Sequence, residues 1–171
     1  MMNSLNMGIA VKNAGLVLLQ NYFTILFERL NLIKEGKFIS EQSQEDAVHY
    51  LQYIVTGLTD SQESSLILNK ILCGLPLSTP VTSNFPISEA HKDLIEGMIH
   101  SSIGFWKAIG DTSVNGFRDN WLAREGALKE EDGRWSLSVE KRAYDILIAK
   151  CPFSFSIINF PWMQKPLYVN W

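Results

Sequence analysis

The sequence predicts one α+β domain, mainly helical, with about five or six helices and a small antiparallel β-hairpin or sheet near the C-terminus. Several stretches repeat apolar residues at three- and four-residue steps, which is typical of helices packed on a core. An Asp-Gly pair between two short stretches predicts a hairpin. The composition, 46% hydrophobic and 19% charged, is that of a globular protein. A chain of 171 residues fits a single domain over residues 1–171 that buries roughly 70% of its unfolded surface.

The N-terminal part is predicted to be a strand followed by a helix. Residues 1–12 have an extended pattern, with Ile9 and Val11 on the same side. The following stretch, Leu16 to Leu32, has helical spacing and an apolar stripe so broad that we expect it to be buried on most sides.

Two further helices are predicted from their end signals. Ser43 is suited to cap a helix that runs to about Thr56, and Gly57 would end it. Asp60, followed three residues later by Glu63, resembles the capping box of a third helix, which stops at Gly74.

Prolines and glycines divide the middle of the chain. Residues 75–85 contain two prolines and are predicted to be a loop. A fourth helix is expected from Ser88 to about Ile109. It contains Gly97 and Gly104, which predict either close packing or a kink, because glycine disfavours helix interiors. A shorter helix begins at Thr112 or Ser113 and ends by Gly126.

The hairpin and a last helix follow. Residues 127–130 and 134–139 flank Glu131-Asp132-Gly133, and the second stretch alternates apolar and polar residues. Residues 141–150 are predicted to be helical, and the terminal stretch is expected to return and pair with the hairpin.

The final stretch, residues 151–171, is the one that the rest of the chain is expected to hold. It contains six aromatic residues and only one charged side chain, Lys165, whereas disordered tails are poor in aromatics and rich in charge. Alternation over residues 153–157 predicts a strand with one buried face. Pro161 and Pro166 then prevent continuous pairing and predict a kinked, extended path. The terminal Trp171 is expected to dock against the domain.

This stretch also supplies the candidate site. Five tryptophans exceed the needs of a core of this size, and Trp and Tyr are common interface anchors. We therefore expect one or two of the C-terminal side chains to face a partner protein. The candidate interface residues are Phe160, Trp162, Met163, Leu167, Tyr168 and Trp171.

The sequence predicts no catalytic, metal-binding or cofactor-binding site. His49, His91 and His100 are scattered, and none has the four-residue spacing of a helical metal pair. No known nucleophile, zinc or phosphate-loop motif occurs. The acidic cluster at residues 130–132 is interpreted as a solvated turn. The basic residues at 118–142 are interpreted as partners of nearby acids in salt bridges.

Bulk properties exclude some partners. A net charge of -3 argues against nucleic acid, and no apolar run is long enough to cross a membrane. The N-terminus lacks the features of a signal peptide. Cys73 and Cys151 lie in apolar surroundings and are interpreted as buried free thiols of a cytoplasmic protein rather than a disulfide.

Three segments together resemble the tape-measure protein family of contractile injection systems, the phage-tail-like particles that drive an inner tube out of a contracting sheath. They are NAGLVLLQNYFTILFERL at residues 13–30, LNKILCGLP at 68–76 and SIINFPWMQKPLYVNW at 156–171. Three intervening segments, at residues 49–57, 113–128 and 138–147, are also similar to the family in the same order. The similarity extends from about Ile9 to Trp171. It departs at Asn21, where proline is expected, and at Trp121, where phenylalanine is usual.

The resemblance implies a structural protein and not an enzyme. Members of the family are usually much longer, and this block resembles their terminal part. Even a wholly helical chain of 171 residues would span only about 260 Å, and a folded one has a radius of gyration of about 16 Å. The resemblance therefore suggests an adaptor at a tube end, joining the inner tube to a cap or sheath-terminating protein. It also implies a homo-oligomer with three- or six-fold symmetry that assembles in the cytoplasm and then becomes part of the particle, which can be released from the cell.

Other functions stay open at this stage. Within the same class, the chain could be a short tape-measure variant or fragment that governs tube length. From other classes, it could be a small cytoplasmic enzyme or ligand-binding domain with a pocket at the hairpin, or a soluble effector carried as cargo.

Overall fold

The computed structural model describes residues 8–171, and the predicted extended segment at residues 1–7 lies outside the described part. The α+β class is confirmed: about six helices accompany a five-stranded and a two-stranded sheet. Strand β1 (Ile9–Val11) confirms the extended N-terminal segment where it is described. Val11 is buried, and Ile9 packs partly buried against the same core.

The long first helix consists of two consecutive parts. A 3-10 helix, Ala14–Tyr22, leads directly into α1 (Phe23–Arg29). Residues 14–19 of the 3-10 helix are all buried, as the broad apolar stripe predicts. The short strands β2 (Ile33–Lys34) and β3 (Lys37–Phe38) then form the two-stranded sheet.

Helix α2 (Glu41–Thr56) is the central helix of the fold, because every residue from Ala47 to Val55 is buried. Its cap was predicted three residues too late. The Oγ of Ser40 accepts a hydrogen bond of 3.0 Å from the backbone N–H of Ser43, so Ser40 is the cap. The predicted end is confirmed, since Gly57 adopts a left-handed conformation with φ of 68°.

The third helical segment begins differently from the prediction. A 3-10 helix, Glu63–Ser65, precedes α3 (Ile67–Leu72), and the capping box at Asp60 is wrong. Asp60 instead forms an isolated bridge with Asn84, and the Glu63 carboxylate pairs with the Nζ of Lys70 at 2.9 Å.

Helix α4 (Glu89–Phe105) begins at the predicted cap, where Ser88 Oγ accepts from the His91 N–H at 3.2 Å. It ends four residues before the predicted Ile109, and a 3-10 turn, Lys107–Ile109, follows. Close packing within the chain does not explain its glycines, because a Cβ at Gly97 or Gly104 would meet nothing within 4 Å.

The next helix begins at the predicted cap residue, Ser113, and changes its winding after one turn. Helix α5 (Val114–Phe117) continues as a π-helical turn, Arg118–Leu122, and ends before the predicted Gly126. The segment predicted as a helix at residues 141–150 is a 3-10 helix, Ala143–Lys150.

The hairpin prediction is confirmed, and the sheet around it is mixed rather than purely antiparallel. Strands β4 (Gly126–Glu131) and β5 (Arg134–Val139) pair in antiparallel register across Asp132-Gly133. The C-terminal strands are β6 (Ile157–Ile158) and β7 (Leu167–Asn170), and the strand order is β1-β4-β5-β7-β6. Strand β7 runs parallel to β5, which corrects the expected antiparallel sheet. Parallel pairing requires a long crossover, and residues 140–166 supply it.

One face of the sheet covers the core. In β5 the buried side chains alternate with outward ones, so Trp135, Leu137 and Val139 point inward. The 3-10 helix Ala14–Tyr22 contacts both β5 and α2, which makes it the buried centre between sheet and helices. Strand pairing was predicted over residues 153–157, but it begins only at Ile157, although Phe153 and Phe155 do pack on the core.

Candidate functional site

The candidate interface residues lie on the C-terminal strap, which we define as residues 159–171. The strap crosses from the end of α3 to the middle of the sheet and ends beside the 3-10 helix Ala143–Lys150. Five of its six candidate side chains pack on the protein's own core, and Tyr168 does not: the five are Phe160, Trp162, Met163, Leu167 and Trp171. All except Leu167 retain partial exposure.

Trp162 is the first anchor of the strap. Its ring centroid lies 5.8 Å from that of Phe27 and 5.2 Å from that of Phe38, and its indole N–H donates to the Leu72 carbonyl at 2.9 Å. Gly74 makes this approach possible. Its φ is +75°, and a Cβ there would lie 2.0 Å from the carbonyl oxygen of Trp162. Any side chain at position 74 would therefore displace the strap.

Phe160 and Met163 form the turn that presents Trp162. Phe160 stacks on Trp162 with centroids 4.8 Å apart and also packs against Phe23 at 5.9 Å. The Met163 backbone N–H donates to the Phe160 carbonyl at 3.0 Å, which closes the turn around Pro161. Aromatic pairs of this kind add roughly 0.5–1.5 kcal/mol beyond the burial of their area.

The middle of the strap is strand β7. Leu167 is fully buried opposite Trp135, and Tyr168 faces outward beneath the Arg134 guanidinium, 4.5 Å from its ring centroid. Pro166 stands immediately before the strand, where its missing N–H costs no ladder hydrogen bond. Lys165, the single charged side chain of the final stretch, pairs with Glu130 on β4 at 2.7 Å.

Trp171 belongs to a cluster around a buried arginine that was not predicted from the sequence. We call it the Arg124 cluster, and its members are Arg124, Asp145, Trp121, Tyr144 and Trp171. Arg124 is 0% exposed, and its guanidinium donates two hydrogen bonds of 2.7 Å to the carboxylate of Asp145. The aromatic rings of Trp121, Tyr144 and Trp171 surround it, each 5.2 Å from the guanidinium carbon. The indole N–H of Trp171 donates to Asp145 Oδ2 at 2.8 Å.

Two opposing effects act on the Asp145 carboxyl of this cluster, partial burial and hydrogen bonding. Partial burial disfavours the charged form of Asp145. Hydrogen bonds from Arg124, from Trp171 and from the Arg142 backbone N–H outweigh it, so the pKa of Asp145 lies below its ordinary value. Two further N–H groups of Arg124 donate to the backbone carbonyls of Asn120 and Glu140. The cluster therefore fixes the chain terminus to the 3-10 helix.

Sequence reasoning classified Arg124 only as a salt-bridge residue. That prediction is confirmed for three of the basic residues. Arg118 lies 3.6 Å from Glu96, Arg124 lies 2.7 Å from Asp145 and Arg134 lies 3.5 Å from Glu131. The sequence did not indicate that Arg118 and Arg124 are buried. Their hydrogen-bond partners are either carboxylates distant in sequence or backbone carbonyls, and neither leaves a local pattern. The surplus of tryptophans was the one indirect indication, since two of them enclose Arg124.

A cavity lies beside the strap. It has a volume of about 350 Å³ and is bordered by Gly74, Pro76 and Leu77 on one side and by Gln164 and Lys165 on the other. It opens where the predicted loop at residues 75–85 meets the turn of the strap. The assignment of the six candidate residues to a partner interface stays a prediction.

The histidines and cysteines have structural environments. His49 stacks on Phe85 with ring centroids 4.8 Å apart, and burial lowers its pKa in spite of nearby Asp46. His91 shares a hydrogen bond of 2.9 Å with the Tyr50 hydroxyl. Both cysteines are free, as predicted. Cys73 is buried and Cys151 half-buried, and burial raises the pKa of each thiol.

Within residues 8–171, no group of three or more His, Cys, Asp or Glu side chains is arranged to hold a metal ion. Over the same residues, no helix is both long and apolar enough to cross a membrane.

The fold and the strap define an α+β domain whose C-terminal segment is held against the core by aromatic packing and by a buried ion pair. Comparison with protein families identifies it further. The model of the contractile injection system tape measure protein family matches residues 3–171, so the chain belongs to that family. It is therefore a structural component related to tape measure proteins, which are not a class of enzymes. No curated protein and no solved structure matches the chain significantly.

Proposed function

We propose that this chain is an adaptor at the end of the inner tube of a contractile injection particle, where it joins the tube to a cap or sheath-terminating protein. The observation that carries the proposal is the shape of the fold. The longest helix, α4, has 17 residues and is about 25 Å long. Residues 8–171 fold around one core and do not provide an extended ruler.

The strap supports this proposal by offering a firm contact surface. Two of its aromatic side chains, Phe160 and Trp162, pack against rings of the core, namely Phe23, Phe27 and Phe38, so their exposed parts are preorganised for a partner. Preorganised aromatic side chains are favoured at interfaces, because little conformational entropy is lost on binding. We propose that the rim of Phe160, Trp162, Met163 and Tyr168 contacts the inner tube or the cap, with buried Leu167 and half-buried Trp171 as its support.

The proposed assembly follows the symmetry of the particle. Because tubes of this kind are six-fold, we propose a homo-oligomer with three- or six-fold symmetry. It would form in the cytoplasm and remain in the finished particle.

A second candidate function is a short tape measure, which the family description itself favours. In that case the chain would govern tube length, although residues 8–171 provide no long helix to do so.

Particle length distinguishes the two functions. The test inserts helix-forming residues after Ser78. Ser78 is exposed and lies in a turn of the loop, where the Thr79 N–H donates a hydrogen bond to the Pro76 carbonyl. A ruler should lengthen the particle by about 1.5 Å for each inserted helical residue. An adaptor should leave the length distribution unchanged in electron micrographs.

A deletion strain provides the complementary result. Loss of the adaptor should yield uncapped, irregular or absent particles, and re-expression of the chain should restore them. A mean tube length that follows the length of the insert would contradict the adaptor and favour the short tape measure. Particles with both normal ends and a normal length distribution in the deletion strain would contradict both functions.

A further inference from the structure

The chain between α3 and α4 is held against α2 by stacked rings, and we call residues 79–88 the Phe85 segment. Phe85 lies nearly parallel to the imidazole of His49, with ring centroids 4.8 Å apart and an interplanar angle of 12°. Tyr50, the next residue of α2, meets Phe85 edge-on at 5.1 Å. The Tyr50 hydroxyl shares a hydrogen bond of 2.9 Å with His91 Nδ1 on α4. One phenylalanine therefore joins the segment to two neighbouring side chains of α2.

The Phe85 segment also bonds to the chain that precedes α3. The Phe85 N–H donates to the Thr59 carbonyl at 2.9 Å, and the Ser61 N–H donates to the Ser83 carbonyl at 2.8 Å. Ile87, near the end of the segment, is buried in the core. The amides of Phe85 and Ser61 therefore report whether the segment is closed, because both lose their acceptors when it moves away.

The imidazole of His49 is buried without a counter-ion. His49 is 6% exposed, and it forms no ion pair within 4.0 Å among residues 8–171. The hydroxyl of Thr82 lies 3.5 Å from His49 Nε2. A hydroxyl accepts as well as donates, so this contact fits either charge state of the ring and does not neutralise a positive one. A protonated His49 would therefore be a buried charge without a partner.

The surrounding elements do not supply that partner. Residues 75–88 contain no charged side chain. Asp46, one turn before His49 on α2, favours a charged ring, but its carboxylate already accepts a hydrogen bond of 2.8 Å from Gln42. The other acidic, basic and histidine side chains on the packed elements are Glu45 on α2, Asp60, Glu63 and Lys70 around α3, and Glu89, His91, Lys92 and Glu96 on α4. Three of these acids are already in ion pairs: Glu63 with Lys70, Glu89 with Lys92 and Glu96 with Arg118.

Burial decides which form of His49 the closed segment holds. Burial disfavours the charged ring and outweighs the effect of Asp46, so the pKa of His49 lies below its ordinary value of 6.5. A cation also gains from the face of an aromatic ring such as Phe85, but that gain is smaller than the cost of burying an unpaired charge. When the segment opens, water reaches the imidazole and this cost disappears. Acid therefore favours the open form.

We propose that the Phe85 segment is a pH-sensitive latch, which stays closed over α2 while His49 is neutral and opens in mild acid as His49 takes up a proton. Opening separates Phe85 from α2 and exposes Ile87, which adds apolar surface to the domain. The inference does not rest on the proposed function, because it uses neither the strap nor a partner protein.

The neutral form of His49 determines the direction of the pH effect. Because the pKa in the closed form is below 6.5, the contribution of His49 to stability is fully present above pH 6.5. It is lost as the pH falls from 6.5 through the pKa of the closed form. The equilibrium constant for opening should rise by up to about tenfold per pH unit in that interval.

Hydrogen exchange measured by NMR on the whole chain tests the latch. The protection factors of the Phe85 and Ser61 amides should fall at least about threefold between about pH 7.5 and about pH 5.5. The amide of Trp135 is the internal control, because it bonds the Pro166 carbonyl at 2.9 Å in the sheet, and its protection should not change. The imidazole signals of His49 should titrate over the same interval as the loss of protection.

Substitutions assign the effect to one histidine. His49→Phe keeps a ring for Phe85 to stack on and cannot take up a proton, so protection of the segment should become independent of pH between about 7.5 and about 5.5. His49→Gln is a second variant without a titratable ring. His100→Phe is the matched control, because His100 is exposed on α4, and it should keep the full loss. His91→Phe should keep it as well. Melting temperatures at neutral pH show whether each variant is folded.

Several results would overturn the inference. They are protection of the segment that does not change with pH in the unaltered chain, or a loss that persists in His49→Phe and His49→Gln. An equal loss at Trp135 would mean that the whole domain unfolds. A loss that His91→Phe abolishes would place the switch at the other histidine.

Discussion

Trp162 and Trp171 belong to the same strap, but the domain holds them by different forces. Trp162 lies among Phe27, Phe38 and Phe160 and donates to a neutral backbone carbonyl at 2.9 Å. Trp171 lies over a guanidinium and donates to a carboxylate at 2.8 Å. Packing of aromatic rings does not depend on pH, whereas the second contact requires a charged Asp145. The start of the strap is therefore anchored by apolar packing, and its end by electrostatics.

Removing most of the strap tests both anchors at once and has the largest expected effect. Deletion of residues 161–171 removes Trp162, Leu167 and Trp171 and exposes the rings and strand beneath them. Since each large apolar side chain contributes on the order of 1.5–3 kcal/mol, we expect the cooperative melting transition to be lost. A truncated chain that melts like the intact one would show that the strap is a dispensable tail.

Breaking the ion pair at the second anchor should have the next largest effect. Arg124→Met leaves the Asp145 carboxylate largely buried without its partner, and such losses cost about 3–5 kcal/mol. Arg134→Met is the matched control, because Arg134 also lies over an aromatic ring and pairs with an acid but is 45% exposed. We expect its cost to stay within about 1 kcal/mol. Urea unfolding of both variants measures the difference, and equal costs would contradict the account.

A smaller substitution separates the two indole hydrogen bonds. Phe in place of Trp keeps most of the packing and removes the N–H. Trp171→Phe loses a bond to a charged group, worth about 1.5–3 kcal/mol, whereas Trp162→Phe loses one to a neutral carbonyl, worth about 0.5–1.5 kcal/mol. Unfolding curves at neutral pH should therefore rank Trp171→Phe as the more destabilising. The reverse order would mean that packing dominates at both anchors.

Local sequence signals predicted those parts of the fold that depend on neighbouring residues. Gly57 ended α2, Ser88 and Ser113 capped their helices, and Asp132-Gly133 turned the hairpin, because each acts within a few residues of its own position. The capping box at Asp60 is absent, because the backbone of Asp60 bridges to Asn84 and the Glu63 carboxylate pairs with Lys70. The spacing of Asp60 and Glu63 fitted a capping box, but contacts with residues distant in sequence determined the structure at this position.

The parts that could not be predicted depend on contacts between distant residues. Alternation in a strand reports its buried face but not the direction of its neighbour, so the parallel pairing of β7 with β5 was missed. The Arg124 cluster joins residues 21 and 26 positions apart, and a charged residue in a single sequence is interpreted by default as exposed. The aromatic content of the strap predicted that it would dock, but not that a buried arginine would hold its end.

The sign of the pH dependence follows from Asp145. Its pKa in the folded protein is below the ordinary value of 3.8, so its contribution to stability is fully present above 3.8. The contribution is lost as the pH falls through the folded-state pKa. Acidification should therefore release Trp171 before it releases Trp162. Asp145→Asn should remove this difference, because asparagine has no carboxylate to protonate.

The most direct measurement follows the indole N–H signals of Trp162 and Trp171 by NMR hydrogen exchange while the pH is lowered. We predict that both are protected at neutral pH, and that Trp171 loses protection as the pH falls through the folded-state pKa of Asp145, which lies below 3.8, while Trp162 keeps it. Asp145→Asn should make the two protection factors respond alike. Loss of protection at both tryptophans together, or an unprotected Trp171 at neutral pH, would contradict the claim that the strap has one apolar and one electrostatic anchor.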